Sequence, residues 1–270
     1  RDGELVRVHR DAYRFPSDGE HPLTQFEAAV TALRLRDPDR VLAGPTALAV
    51  LGLPVFDDPG TLHVVTDRRG GSSARSLVTT VAPPPADQMC EVQGTTVSCA
   101  ARAALDTARL HSLVAGVVAA DAALRAGLPT VEELERVAST MARLHGAASV
   151  RLCQELASPF SESPGESWSA VVMHQHRVPR PERQEPFRDG RGFIGRSDFW
   201  WSRQRVVGEF DGKVKYGRRN PSGRPPEDVL WDEKVREDRL RGTGVLVVRW
   251  IAADLYRPRE WIRRLAAALR

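Results

Sequence analysis

The sequence predicts an α/β protein of two domains: a helix-rich α+β region over residues 1–157 and a mixed sheet flanked by helices over residues 158–270. Three observations carry that reading. Charge is divided between the parts, since residues 158–270 hold 23 Lys+Arg against 16 Asp+Glu, whereas residues 1–157 hold 16 against 19. All six tryptophans, Trp168, Trp200, Trp201, Trp231, Trp250 and Trp261, fall in the second part. Between the two, Ser158 to Gly165 strings together prolines, serines and a glycine, the turn formers expected where one unit ends and another begins.

In chain order, Glu4 to Tyr13 alternates as a strand pair, which suits the wing of a winged-helix module whose helices lie upstream. The chain opens on Arg1 in mid-pattern, so a preceding segment is expected. Phe26, Ala29, Val30 and Leu33 recur at helical spacing, and Thr46 to Leu51, closed by Gly52, reads as a short apolar helix. Leu62 to Thr66 and Leu77 to Val81 read as strands around a Gly70-Gly71 turn, and Val92 to Val97 as one further strand. Helices are expected over 101–110, 113–125, 131–144 and 147–156, punctuated by Gly127, Pro129 and Gly146. Asp121, inside an alanine-rich helix, reads as a solvent-facing acid, and Thr46 and Asp106 as residues that satisfy local backbone.

In the second part the pattern predicts a helix over 166–176 and strands over 183–188, 192–200 and 205–211, the first two joined by a turn at Asp189-Gly190. A polar loop then leads to a helix over 227–241, a buried strand over 245–250 and a closing helix over 252–269.

Composition bounds the setting. At 270 residues and 41% hydrophobic, the chain has enough apolar content for two cores. Three scattered cysteines, Cys90, Cys99 and Cys153, point to a reducing, cytoplasmic environment, and no apolar run reaches membrane-spanning length. No secretory leader is read at the start. Neither a phosphate loop nor a dinucleotide fingerprint is present, because Gly44-Pro-Thr46 lacks the lysine and Gly190-Arg-Gly192 follows no strand-to-helix turn. The cysteines and seven histidines give no zinc-finger spacing. His174 and His176, two apart on a helix, diverge and read as surface residues.

The chemistry concentrates in one stretch. All three lysines, Lys213, Lys215 and Lys234, lie between Glu209 and Asp238, together with Asp211, Glu233 and Glu237, and every other strong base is arginine. Side chains alternate along a strand, so Glu209 and Asp211 share a face, as do Arg196 and Asp198 on the preceding strand. If those strands are neighbours, Asp198, Glu209 and Asp211 converge on the kind of hard-oxygen set that holds Mg²⁺ or Mn²⁺. Glu166, on the incoming helix, is a fourth acid for the same centre. Gly208 and Gly212 bracket the acid pair, which allows a bulge or a close approach of a substrate backbone. The ordinary alternative is a solvated charged hairpin and helix.

These residues resemble the PD-(D/E)XK nuclease superfamily and, within it, the very-short-patch-repair-like endonuclease domain, over roughly residues 160–265. Ser197-Asp198-Phe199 resembles the motif of the first metal-binding acid, and Val206 to Gly212 the second acidic strand. Glu233-Lys234, Arg236 to Asp238, Leu240 and Val247 to Trp250 resemble the family's helix and return strand. The resemblance implies a restriction-endonuclease-like fold and metal-dependent DNA hydrolysis, with Mg²⁺ or Mn²⁺ on Asp198, Glu209 and Asp211 and with Glu166 in support. Two departures stand out: the family's lysine two residues after the second acid is here Asp211, and its later histidine is Lys215. Lys213 or Lys215 is expected to take the cationic role from a displaced position. Leu42 to Pro54 and Thr95 to Asp106 resemble the antitoxin component of abortive-infection (type IV) systems, in which a winged helix binds operator DNA.

DNA is therefore the expected partner. Arg196, Arg218, Arg219, Lys234 and Arg236 are the candidates for phosphate contact, which orients a strand without reading its sequence. Trp200 and Trp201 are candidates for stacking on an unpaired base, with one of them in the core because neighbouring strand residues face opposite ways. The competing expectation is a DNA-binding regulator or antitoxin whose nuclease-like domain does not cut. A third is an interaction protein that blocks a cognate toxin through residues 100–157.

Overall fold

The computed structural model describes residues 6–9, 12–14, 22–66, 78–212 and 226–270. The chain forms two compact units, Arg1–Pro159 and Phe160–Arg270. Among the described residues no helix is long and apolar enough to cross a membrane.

The first unit opens with an antiparallel hairpin of β1 (Val6–His9) and β2 (Ala12–Arg14). Helix α1 (Pro22–Arg36) follows and buries Phe26, Ala29, Val30 and Leu33, the apolar stripe of the sequence. Helix α2 (Gly44–Val50) starts at Pro45 in its first turn and is followed by Gly52 at φ 70°, a left-handed backbone that suits glycine. Strands β3 (Leu62–Val65) and β4 (Val78–Val81) pair in parallel, so the connection through the Gly70-Gly71 region is not a hairpin; that region lies outside the described residues. The strand expected over 92–97 is instead the tip of a hairpin, β5 (Met89–Val92) with β6 (Thr95–Ser98). Gln93 and Gly94 form its two-residue turn at φ 49° and 73°, the doubly left-handed geometry that matches strand twist.

Four helices complete this unit: α3 (Ala100–Leu110), α4 (Leu113–Arg125), α5 (Val131–Thr140) and α6 (Ala147–Leu156). Small residues let α3 and α4 approach closely. A Cβ at Gly116 would stand 2.3 Å from that of Ala108. Helix α5 begins in a capping box between Thr130 and Glu133 and ends four residues earlier than periodicity predicts. There Ser139 and Thr140 donate their hydroxyls to the carbonyls of Arg136 and Val137, tightening the last turn. Asp121 is buried rather than solvent-facing, and its Oδ1 accepts the Ser158 N–H at 2.7 Å.

The second unit is a four-stranded mixed sheet with helices on both faces. Helix α7 (Pro164–Gln175) is capped by Ser163 and has Pro164 at its first position. Strands β7 (Glu182–Asp189), β8 (Gly192–Trp201) and β9 (Val206–Asp211) form an antiparallel meander. Helix α8 (Pro226–Gly242) then crosses, and β10 (Leu246–Ile251) returns parallel to β9, giving the order β10-β9-β8-β7. The helix expected over 252–269 is two, α9 (Ala252–Tyr256) and α10 (Arg259–Ala268). Pro258 separates them, since a proline inside a helix removes one backbone donor and clashes with the preceding turn.

Each sheet face has its own core. Phe199, Trp201, Val206, Val248 and Trp250 pack with residues of α7 and α10, including Met173 and Trp261. Ile194, Trp200, Val207 and Val245 pack with Leu240 of α8. Trp250 stacks on Trp261 with ring centroids 4.6 Å apart and donates its indole N–H to Ser169 Oγ at 2.7 Å, so its polar atom is satisfied on burial. Gly208 is required by this packing rather than by a substrate, because a Cβ there would lie 2.7 Å from the Trp250 ring.

Candidate functional site

Strand alternation, settled by these two cores, decides where the acids point. Trp200 and Val207 face α8, so Asp198, Glu209 and Asp211, at even spacing from them, lie on the same face. Val247 packs on that side as well, and two residues on, Arg249 is the direct parallel partner of Glu209. The three acids of the sequence expectation thus share one sheet face under α8.

Glu209 is buried and sits between two guanidiniums. Arg236 of α8 donates to both its oxygens at 3.0 Å, and Arg249 lies 2.7 Å from Oε2. Arg249 also reaches Asp211 at 3.6 Å and Glu237 at 3.3 Å, and Glu237 pairs with Arg241 one turn along α8. Asp198 is held differently: its Oδ2 accepts the backbone N–H of Phe210 at 2.8 Å. The pairing of β8 with β9 ends at Phe199 and Gly208, and the Asp198 side chain takes the amide that the ladder no longer uses.

Glu166 stands at the start of α7. Its Oε1 accepts from Ser163 Oγ at 2.7 Å, and its Oε2 accepts from the Glu162 N–H at 2.9 Å and Gln184 Nε2 at 3.3 Å. Arg196 pairs with Glu162. Gly165 lies directly against the Phe210 ring, where a Cβ would come within 2.0 Å, so the first turn of α7 is seated on β9 beside the point where β8 and β9 part.

Lys234 is exposed on α8. Lys213, Lys215, Arg218 and Arg219 lie outside the described residues. Trp200 and Trp201 are both buried, on opposite faces, which removes either as a stacking platform for a base; each fills a core instead. His174 and His176 are exposed, as expected. Among the described residues no group of three or more histidine, cysteine or acidic side chains is gathered tightly enough to hold a metal ion. The central group that sequence reasoning misses is Arg249. Its alternation with Val247 is visible, but its place beside Glu209 follows from the parallel pairing of β10 with β9, which joins residues 40 apart and leaves no local mark.

At the far end of the meander, Arg239 of α8 donates to both carboxylate oxygens of Asp189, at 2.7 and 2.9 Å, and holds that carboxyl down to about 2. This clamp ties the β7–β8 turn to α8, so the helix bearing Arg236 is anchored to the sheet at both ends of the acid face.

The chain is similar to two proteins of Mycobacterium tuberculosis, uncharacterised protein Rv2248 of strain ATCC 25618 / H37Rv and uncharacterised protein MT2308 of strain CDC 1551 / Oshkosh. Each is 27% identical over 179 residues, 66% of this chain and 63% of the relative. The chain therefore spans less than two thirds of the length of these curated relatives. No family model matches the sequence, and no solved structure matches it.

Proposed function

We propose that the second unit is a restriction-endonuclease-like domain that hydrolyses DNA phosphodiester bonds with a divalent metal ion. The observation that carries the reading is the placement of Asp198, Glu209 and Asp211 on one sheet face at the point where β8 and β9 stop pairing. The order of helix, three-strand meander, helix, parallel return strand and helix supports it.

The donor chemistry fits a hard divalent cation, because all three groups are carboxylates, the ligand type that Mg²⁺ and Mn²⁺ prefer. Asp198, Glu209 and Asp211 would hold it, and once bound it supplies a water of lowered pKa and offsets charge developing on the phosphodiester. The chain's own residues do the rest. The Phe210 N–H orients Asp198, while Arg236 and Arg249 orient Glu209 and bring positive charge to the face where a phosphate docks. Arg196 and Lys234 contribute phosphate contacts that set the strand's path. Lys213 and Lys215 remain the candidates for a cation at the scissile group.

A second reading, a DNA-binding regulator or antitoxin that does not cut, is favoured by one specific observation. Both oxygens of Glu209 are engaged by arginines, so the acidic face is balanced within the chain. One experiment separates the readings: cleavage of supercoiled plasmid and short labelled duplexes in Mg²⁺ or Mn²⁺ by wild type, Asp198→Ala and Glu209→Ala. The nuclease reading requires metal-dependent cutting that falls at least a hundredfold in both variants while DNA affinity is retained. DNA binding without product at any metal concentration, with affinity falling steeply with salt, establishes the regulator instead.

A further inference from the structure

Gln184 is the one strand residue of the second unit with a left-handed backbone among those described, at φ 54°. Left-handed geometry in a residue other than glycine is costly and persists only where surroundings impose it, so its position matters. Arg183 is in register with Phe199 and Glu185 with Ser197, yet Gln184 and Asp198, which stand between them, are left out of the ladder. On its other side Asp198 is past the end of the β8–β9 ladder. The Asp198 backbone thus stands outside regular strand pairing on both flanks, and Gln184 makes the break on one of them.

The same backbone turn redirects the Gln184 side chain. Directly opposed residues of an antiparallel pair point to the same face, so a regular residue 184 would face α8 with Asp198. Instead its amide reaches the α7 side and donates from Nε2 to Glu166 Oε2 at 3.3 Å. Glu166 is buried, and its other hydrogen bonds are with Ser163 and Glu162 at the start of α7. Gln184 is therefore the link between the acid on the helix and the acid on the strand.

We propose that Gln184 is a positioning residue of the hydrolytic site, one that lifts Asp198 out of the regular ladder and fixes the Glu166 carboxylate beside it. This inference rests on the reading of the second unit as a metal-dependent phosphodiesterase. Gln184→Gly separates positioning from fold maintenance, because glycine adopts φ 54° without strain while losing the amide. Gln184→Glu retains length but replaces the donor with a like charge against Glu166.

The experiment measures plasmid nicking kinetics, melting temperature, and the Mn²⁺ concentration that gives half of the metal-induced rise in melting temperature. For both variants the expected result is a fall in kcat of at least tenfold with KM for DNA within twofold, and a Mn²⁺ midpoint raised at least fivefold. The metal-free melting temperature of Gln184→Gly should equal or exceed that of wild type. If Gln184→Gly keeps kcat and the Mn²⁺ midpoint within twofold, the proposal is overturned and the nuclease reading stands. A drop in metal-free melting temperature that accounts for the lost activity assigns Gln184 a structural role only, and also overturns it. Wild type that neither cuts nor gains stability from Mn²⁺ removes the nuclease reading and this inference together, and that outcome is seen in the wild type alone.

Discussion

Both units bury a carboxylate between two arginines, but they do so in opposite ways. In the first unit Asp106 is fully buried, with Arg102 at 2.8 Å and Arg109 at 2.6 Å, all three on α3 within one turn either side. Arg102 continues to Gln88, which donates to Thr140, so the charge is enclosed in a closed polar network. In the second unit the arginines of Glu209 come from α8 and β10, and their side chains are 24% and 23% exposed against 4% and 7% for Arg102 and Arg109. The first arrangement is a staple that excludes water. The second has a wet edge, where an ion or a phosphate can compete for the same groups.

The difference sets a scale of expected effects. Breaking the closed network should cost most, because removing one partner leaves buried charge without compensation. Asp106→Ala is expected to destabilise the first unit by about 3–5 kcal/mol. Urea unfolding followed by far-UV circular dichroism measures this, while tryptophan fluorescence follows the second unit separately, since all six tryptophans lie there. Equal displacement of both signals would show that the two units unfold as one.

His63 tests the dryness of the first unit through pH. Burial, with smaller contributions from His111 and Arg109, holds its imidazole down to about 4. The unfolded chain takes up a proton near the ordinary value of about 6.5 that the folded chain refuses. Stability is therefore fully present above about pH 6.5, falls by about 3 kcal/mol as pH drops to about 4, and levels off below. Denaturant titrations of wild type and His63→Gln at pH 7, 5.5 and 4 isolate this contribution from that of the nearby His111–Asp57 pair. A difference between the two proteins that does not change with pH would mean that His63 is hydrated.

The smallest stability effect is expected where function is expected to be greatest. Glu209→Ala should cost about 1–2 kcal/mol, because Arg236 and Arg249 can turn toward water when their acid is gone. The same unfolding experiment checks it. A loss as large as that at Asp106 would make Glu209 a second staple and weaken its candidacy as a site.

Much of this architecture is legible in the sequence, for a physical reason. Helix periodicity and strand alternation are local properties, so the stripe of α1, the meander strands and α8 can be read from the spacing of apolar residues. Alternation also puts Glu209 with Asp211 and Arg196 with Asp198. Where sequence and structure differ, a local signal is overruled or easily overlooked: Gln93-Gly94 turns an expected strand into a hairpin, and Pro258 divides the last helix. Asp121 reads as a solvent-facing acid because nothing near it in the sequence reveals that the Ser158 N–H returns to meet it.

The sequence by itself determined the elements, the division of charge and tryptophan between two parts, and the set of acids that share a strand face, since each depends on neighbours within a few residues. Only the tertiary structure decided that β10 lies parallel to β9 with Arg249 beside Glu209, that Gln184 leaves its ladder to reach Glu166, and that Trp200 and Trp201 fill two different cores. Those outcomes depend on contacts between residues far apart in the chain, where sequence spacing carries no information about which groups will meet.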